Sequence, residues 1–360
     1  MSNNGATLKY KPDFERAQQY WDAFWAHEII DRPCTIIRAE IANNPGRPFR
    51  LQPIMADFEK SFEQFDRYLQ THSFMGECMP GFRPGFGPDQ MAGFLGAPIV
   101  ISPDSSETSW SQKIVDDWQA FGPLKIDEDN KCWQRMIEFH EAAEKHFKGK
   151  CLLYEIDTHS NIDTLEGLRG AQKLLFDMID YPDVIMEAMN QVRPIYKQIY
   201  EKFQVYGSKK QLGTSAELHL YSRARYNRIQ ADFICLLSPD MFRRFVLPAL
   251  REEADYLDYS CFHLDGPDAL KHLDDLLAID SLDAIQWVPG AGAGDKEEVF
   301  KWPEVVHRIQ AANKSIIIYG TAEEIKAVHG RFKPELLVYD VNTKSRDEGL
   351  KLLDWLKKNT

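Results

Sequence analysis

CFHLDGPDALKHLDDLLAIDSLDAIQWV, residues 261–288, is the stretch on which the fold turns. CFHLD (261–265) is a short, mostly apolar run closed by Gly266, which reads as a strand. GPDALKHLDDLLAI opens a helix, and DAIQWV (283–288) is a second strand. Downstream the rhythm repeats. WPEVVHRIQAAN (302–313) is a helix with Pro303 in its first turn, SIIIYG (315–320) a strand and TAEEIKAVHGRF a helix. ELLVYDVN (335–342) is a strand and SRDEGLKLLDWLKKN a closing helix. Upstream, 182–206 has helical spacing and LGTSAELHL (212–220) is strand-like. DFICLLS (232–238) fits a strand or a helix start, and the helix opened by Ser238-Pro239-Asp240 should bend at Pro248. Strands of doubly buried composition thus alternate with helices at least four times, the signature of a parallel sheet covered on both faces.

A barrel and an open doubly wound sheet share this pattern. The lack of G-x-G-x-x-G after the early strands weakens the dinucleotide-binding version of the open sheet. The N-terminal third is less regular. Residues 12–29 form an amphipathic helix rich in aromatics, and 72–103 are dense in Pro, Gly and Phe, which fits a packed loop or a lid over a site.

The 360 residues are 44% hydrophobic and 12% aromatic, with eight Trp, enough for a large core. The formal charge of −12 argues against a protein that tracks nucleic-acid phosphates or an anionic membrane. No apolar run approaches a membrane span, and the polar N-terminus does not read as a signal peptide. The six cysteines contain no C-x-x-C pair and read as reduced, mostly buried thiols of a cytoplasmic protein.

Reacting groups of a barrel lie at the C-terminal ends of its strands. The polar residues there are Asp157 and His159 after CLLYEI, Glu217 and His219 in SAELHL, His263 and Asp265 in CFHLD, Gln286, Tyr319, Asp340 and Asn342. His263 and Asp265, two apart on a strand, share a face and can point into one cavity, as metal ligands or as an oriented base. A buried His–Asp hydrogen bond holding a strand end is the alternative. Glu217 and His219 repeat the spacing. Arg169 fits an interior ion pair or a helix surface equally, and PGAGAG (289–294) reads as a flexible loop. His140, His146, His272, His307 and His329 are expected on helix surfaces. No nucleophile elbow G-x-S-x-G and no P-loop occurs.

Six segments carry a resemblance: EIIDRP (28–33), FGPDQMAGFLG (86–96), LEGLRGAQKLLFDMIDYPDVI (165–185), ADFICLLSPDMFRRFVLPAL (231–250), FHLDGPDALKHLD (262–274) and IQWVPGAG (285–292). With these the chain resembles the uroporphyrinogen decarboxylase-like superfamily, in its corrinoid-linked methyltransferase branch. The resemblance implies an α/β fold: one (β/α)8 TIM-type barrel over residues 1–360, with an N-terminal helical extension (1–70) and the long Pro/Gly-rich loop. It implies methyl transfer between a small methylated compound and a corrinoid carried on a separate protein, with a divalent metal, zinc, at the mouth. In the zinc enzymes of this superfamily a His-x-Cys pair and a distant Cys hold the metal. Here the first pair is His263 and Asp265, the distant position falls near Asn342 or Thr343, and no cysteine follows Cys261. The expected ligands are therefore His263 and Asp265, completed by Glu217 or His219, a harder donor set than thiolate. Asp232, Gln286 and Tyr319 are the expected catalytic residues, and Phe86, Asp157, His159 and Trp287 the expected substrate contacts. A homodimer is the default assembly. The alternatives are a tetrapyrrole decarboxylase, disfavoured because its Arg-rich N-terminal motif is missing around Arg32 and Arg38, and a non-catalytic corrinoid or small-molecule binding barrel.

Overall fold

The computed structural model describes residues 7–42, 58–101, 108–290 and 298–360. The strands that frame the site are β1 (Cys34–Glu40), β2 (His72–Gly76), β3 (Gly81–Phe82), β4 (Leu152–Leu153), β5 (Thr214–Ser215), β6 (Tyr226–Gln230), β7 (Tyr259–Asp265), β8 (Ala284–Val288), β9 (Ser315–Gly320) and β10 (Leu337–Thr343). A seven-stranded sheet runs in the order β2-β1-β10-β9-β8-β7-β6. All its neighbours are parallel except β1 and β2, which are antiparallel. β3 pairs with β4, also in parallel. Ile316, Ile317 and Ile318 on β9 and Val338, Tyr339 and Val341 on β10 are all sealed from solvent. Successive residues of a strand face opposite sides, so both faces of the sheet are covered, as the unbroken apolar runs require.

The helices between these strands follow the sequence signals. Pro303 opens Pro303–Ala311, and Thr321 with Glu324 forms a reciprocal capping box on Ala322–Val328. The bend expected at Pro248 is a π-helical turn over Phe242–Val246, just before the helix Leu247–Tyr256. Proline donates no N–H and crowds the carbonyl four residues back, and the widened turn absorbs both effects. DFICLLS resolves as a short 3-10 helix, Asp232–Leu236.

Several expectations need correction. Residues 1–70 are not a purely helical extension: alongside the helices Phe14–Trp25 and Glu59–Thr71, they contribute β1 to the central sheet. The Pro/Gly-rich stretch is not a long loop. It contains β2, β3 and the helix Gln90–Phe94, and its Cys78, Met79, Phe82, Phe86, Met91 and Phe94 are core residues. Gly76 is required there. Its φ is +58°, and a Cβ would stand 2.2 Å from the Thr35 carbonyl oxygen. That close approach lets Glu77 reach back to the buried Arg32 guanidinium at 2.6 Å. The strand expected over 212–220 shrinks to Thr214–Ser215. Glu217 lies in a turn and His219 is left-handed, with φ +60°. His140 and His272 are fully buried rather than on the surface, each held by a main-chain carbonyl, of Met136 and Ile234 respectively. Of PGAGAG, residues 291–294 lie outside the described residues.

Register fixes the site. Gln230, His263 and Gln286 are Cα partners on adjacent β6, β7 and β8, and Tyr319 is opposite Asp340 on β9 and β10. Residues opposite each other in a parallel sheet point to the same face, so a polar belt crosses one face near the C-terminal strand ends.

Candidate active site

The belt is hydrogen-bonded through its middle. His263 Nδ1 lies 2.5 Å from Gln286 Oε1, and Gln286 Nε2 donates to the Tyr319 hydroxyl at 2.7 Å. With the amide nitrogen committed to the phenol, its oxygen accepts from His263, so Nδ1 carries the imidazole proton and Nε2 presents its lone pair. Burial, then the Arg228 guanidinium, hold the His263 pKa below its ordinary value, which favours the neutral ring. Burial likewise drives the Tyr319 phenol far above its ordinary range. Beyond it Arg38 pairs with Asp340 and donates to Asn342 Oδ1 at 3.3 Å. Burial raises the Asp340 carboxyl and Arg38 opposes the rise.

Beside His263 sits a charged cluster from the loops after β4, β5 and β6. Arg228, on β6, contacts both Asp157 and Glu217, the latter at 2.8 Å. Arg83, just after β3, is 2.6 Å from Glu217 and 3.6 Å from Asp157. His159 Nε2 is 3.4 Å from Asp157, while its Nδ1 is 3.5 Å from Asp163 and 3.7 Å from Asp232. Burial works against charge on His159, yet Asp157 first, then Asp163 and Asp232, raise its pKa well above the ordinary histidine value. Asp157 is held well below the carboxylate range: burial opposes this, and Arg228 and His159 prevail. Glu217 is lowered by Arg83 and Arg228 against its burial. These side chains are enclosed but reachable: Asp157 is 12% exposed and Asp232 42%. They are therefore reached by solvent rather than sealed in the core.

A buried support lies behind this wall. Asn161, at φ +48°, donates to the Gln230 carbonyl and to Glu253 Oε1, which also accepts from Ser160 Oγ at 2.7 Å. Burial pushes the Glu253 carboxyl up to about 8. This ties the loop after β4 to the helix Leu247–Tyr256.

The structure thus brings together Asp157, His159, Glu217 and Asp232 in one cluster and joins His263, Gln286 and Tyr319 in one chain of hydrogen bonds. It does not bring the four expected ligands together. Among the described residues, the single group of three or more His, Cys, Asp or Glu donors lying within 4.8 Å of one another is His159, Asp163 and Asp232. Glu217 is drawn away by two guanidiniums, His219 Nδ1 lies 3.2 Å from the Tyr154 hydroxyl, and Asp265 is exposed at the strand end before Gly266. Phe86 and Trp287 are sealed core residues. Phe86 is 0% exposed and stacks on Phe139. Trp287 follows Gln286, so it faces the other side of the sheet, where it is 0% exposed and meets Trp302 edge-on. Arg169 turns out to clamp Asp177 and the Val115 and Asp116 carbonyls.

Sequence reasoning missed Arg83, Asp163, Arg228 and Gln230. A usable signal existed for Arg228: it stands two residues from both Tyr226 and Gln230 in a strand buried along its whole length. Such a charge needs buried partners. Asp163 gave no such signal. It begins as a helix residue and shows its role only by accepting the Asp232 and Phe233 main-chain N–H groups at 2.9 and 3.0 Å.

Neither a protein-family model nor a curated protein matches the chain. Solved structures do match it. One is a methyltransferase from Methanosarcina mazei, with a TM-score of 0.58 and 12% sequence identity, covering 95% of this chain and 98% of that one. At this identity the likeness is one of fold, and it extends over nearly the full length of both chains.

Proposed function

We propose that this chain is a methyltransferase that moves a methyl group between a small methylated compound and a corrinoid carried by a separate protein. The observation that carries the reading is the His263–Gln286–Tyr319 chain, which fixes a neutral imidazole beside a solvent-reachable charged cluster at the C-terminal strand ends. The end-to-end fold likeness to a methyltransferase supports it. We also read the sheet as closing into a barrel. Main-chain bonds from Tyr154 N to Phe82 O and from Glu155 N to Ser215 O link β3, β4 and β5, the site-framing strands that stand outside the seven-stranded sheet.

The donor set does not fit the zinc that the resemblance implies. No thiol stands at 265 or 342, Asn342 accepts from Arg38, and the His263, Asp265, Glu217 and His219 donors do not converge. The chemistry falls to the chain's own groups. Arg83 and Arg228, countered by Asp157 and Glu217, are fixed charges that orient a polar guest. His263 Nε2 is an acceptor for a donor group on that guest.

The test is a single-turnover assay with stoichiometric enzyme, free cob(I)alamin as acceptor and methanol, methylamine or guaiacol as donor. Enzyme-dependent formation of methylated corrinoid from one of them supports the reading. Stabilisation of the protein by cobalamin without transfer from any donor favours a binding protein instead.

A further inference from the structure

Two carboxylates face His159 Nδ1, and the structure treats them differently. Asp163 is anchored: its two oxygens accept the Asp232 and Phe233 main-chain N–H groups, and His159 is 3.5 Å away. Asp232 receives no comparable support. Its Oδ2 is 3.7 Å from His159, and its Oδ1 is turned inward without a hydrogen-bond partner among the described residues. A carboxylate left unsatisfied beside a second carboxylate is costly, and the neutral acid much less so.

Resting on the methyl-transfer reading, we propose that Asp163 and Asp232 form a carboxyl pair holding one proton, carried by Asp232, and that Asp232 gives this proton to the oxygen leaving group of an alcohol or methyl ether. The methyl carbon takes an electron pair from the nucleophilic acceptor, the reduced corrinoid. The pair of the breaking C–O bond stays on oxygen, which takes the Asp232 proton and departs as a neutral alcohol, phenol or water. Asp232 is left as a carboxylate and regains a proton from solvent, to which its side chain is 42% exposed.

The surroundings agree. The groups that act on Asp232 are Asp163 from the helix Asn161–Arg169, His159 from the loop after β4, Arg228 from β6, Asp265 from β7 and Cys235 on its own turn. Burial and then Asp163 raise its pKa to about 7, and His159 and Arg228 oppose them. An acid poised there both keeps its proton and yields it at neutral pH. His159 is the fixed cation that faces both carboxylates.

The test has two arms. In protein carrying 13C-labelled aspartate, titrated with chelator present, one carboxyl should show a midpoint near 7. It should vanish in Asp232→Asn and move down in Asp163→Asn, which also decides the matter should Asp232→Asn fail to fold. If no carboxyl sensitive to these variants titrates between about 6 and 8, the proposal is overturned. The second arm compares guaiacol, whose leaving phenolate is basic, with 4-nitroguaiacol, whose leaving phenolate is weakly basic, using free cob(I)alamin. Asp232→Asn should slow transfer from guaiacol on the order of 100-fold, the usual worth of a positioned acid, and 4-nitroguaiacol far less. The wild-type rate on guaiacol should fall as pH rises through about 7. Equal losses on both donors would overturn the acid role. If the wild type transfers from neither donor, methyl transfer from aryl ethers fails, while the titration still decides the carboxyl pair.

Discussion

Replacing Gln286 by glutamate puts a carboxylate where a neutral amide oxygen now accepts from His263 at 2.5 Å. The fold has little reason to change, because the two side chains are nearly isosteric. The charge balance at the ring changes sharply. Two unit charges about 4 Å apart, at an effective dielectric of about 20, gain roughly 4 kcal/mol, which is about three pH units on the imidazole. Burying the new carboxylate at a position only 8% exposed takes back part of this, as does Arg228, which already disfavours charge on the ring. The expected net is an upward move of about two units in the His263 midpoint. The sign is fixed: His263 starts below its ordinary value, so it is neutral at pH 7 in the wild type, and the Gln286→Glu ring takes up its second proton at a higher pH than the wild-type ring. Long-range 1H–15N spectra of the imidazoles read this directly, since the wild-type ring should be protonated at Nδ1 only. A midpoint that stays within a few tenths of the wild type, or a wild-type ring protonated at Nε2, would refute the hydrogen-bond assignment.

Three further outcomes follow from the same geometry. Glu253→Gln should stabilise the protein by roughly 3 kcal/mol at pH 7, with the gain vanishing near pH 4. The native acid keeps its proton up to about 8 while the unfolded one releases it near its ordinary value, so wild-type stability falls across that interval; urea unfolding at both pH values checks it. Arg228→Met should cost about 3–5 kcal/mol by denaturant unfolding, because Asp157 and Glu217 lose a shared buried cation. After zinc loading and gel filtration, His263→Ala should retain as much zinc by elemental analysis as the wild type, and stoichiometric zinc lost with His263 would contradict the reading of the donor set.

The parts of the fold legible in the sequence are those whose burial is local and continuous. The runs at 261–265, 283–288 and 315–320 match Tyr259–Asp265, Ala284–Val288 and Ser315–Gly320 to within two residues. Doubly buried strands must be apolar throughout, and their caps and prolines mark the helices between them. The 72–103 segment resisted the same reading because β3 has two residues and pairs with β4, about 70 positions later. No periodicity can develop over two residues, and the glycines and prolines that shape such a path look like those of a loop. For the site, the i, i+2 spacing puts His263 and Asp265 on one face of β7, a true strand, but no strand holds Glu217 and His219, where the left-handed His219 turns the chain. Apolar character alone likewise could not assign Trp287 to a face. Its neighbour Gln286 takes the inner one, a fact settled by pairing with His263.

The most direct test of the site is the single-turnover transfer rate to cob(I)alamin for wild type and His263→Ala, with the melting temperatures of both recorded. The hydrogen-bonded ring at the strand mouth predicts a fall on the order of 100-fold in the variant at a temperature where both proteins remain folded. A His263→Ala protein that transfers methyl as fast as the wild type would place the chemistry elsewhere.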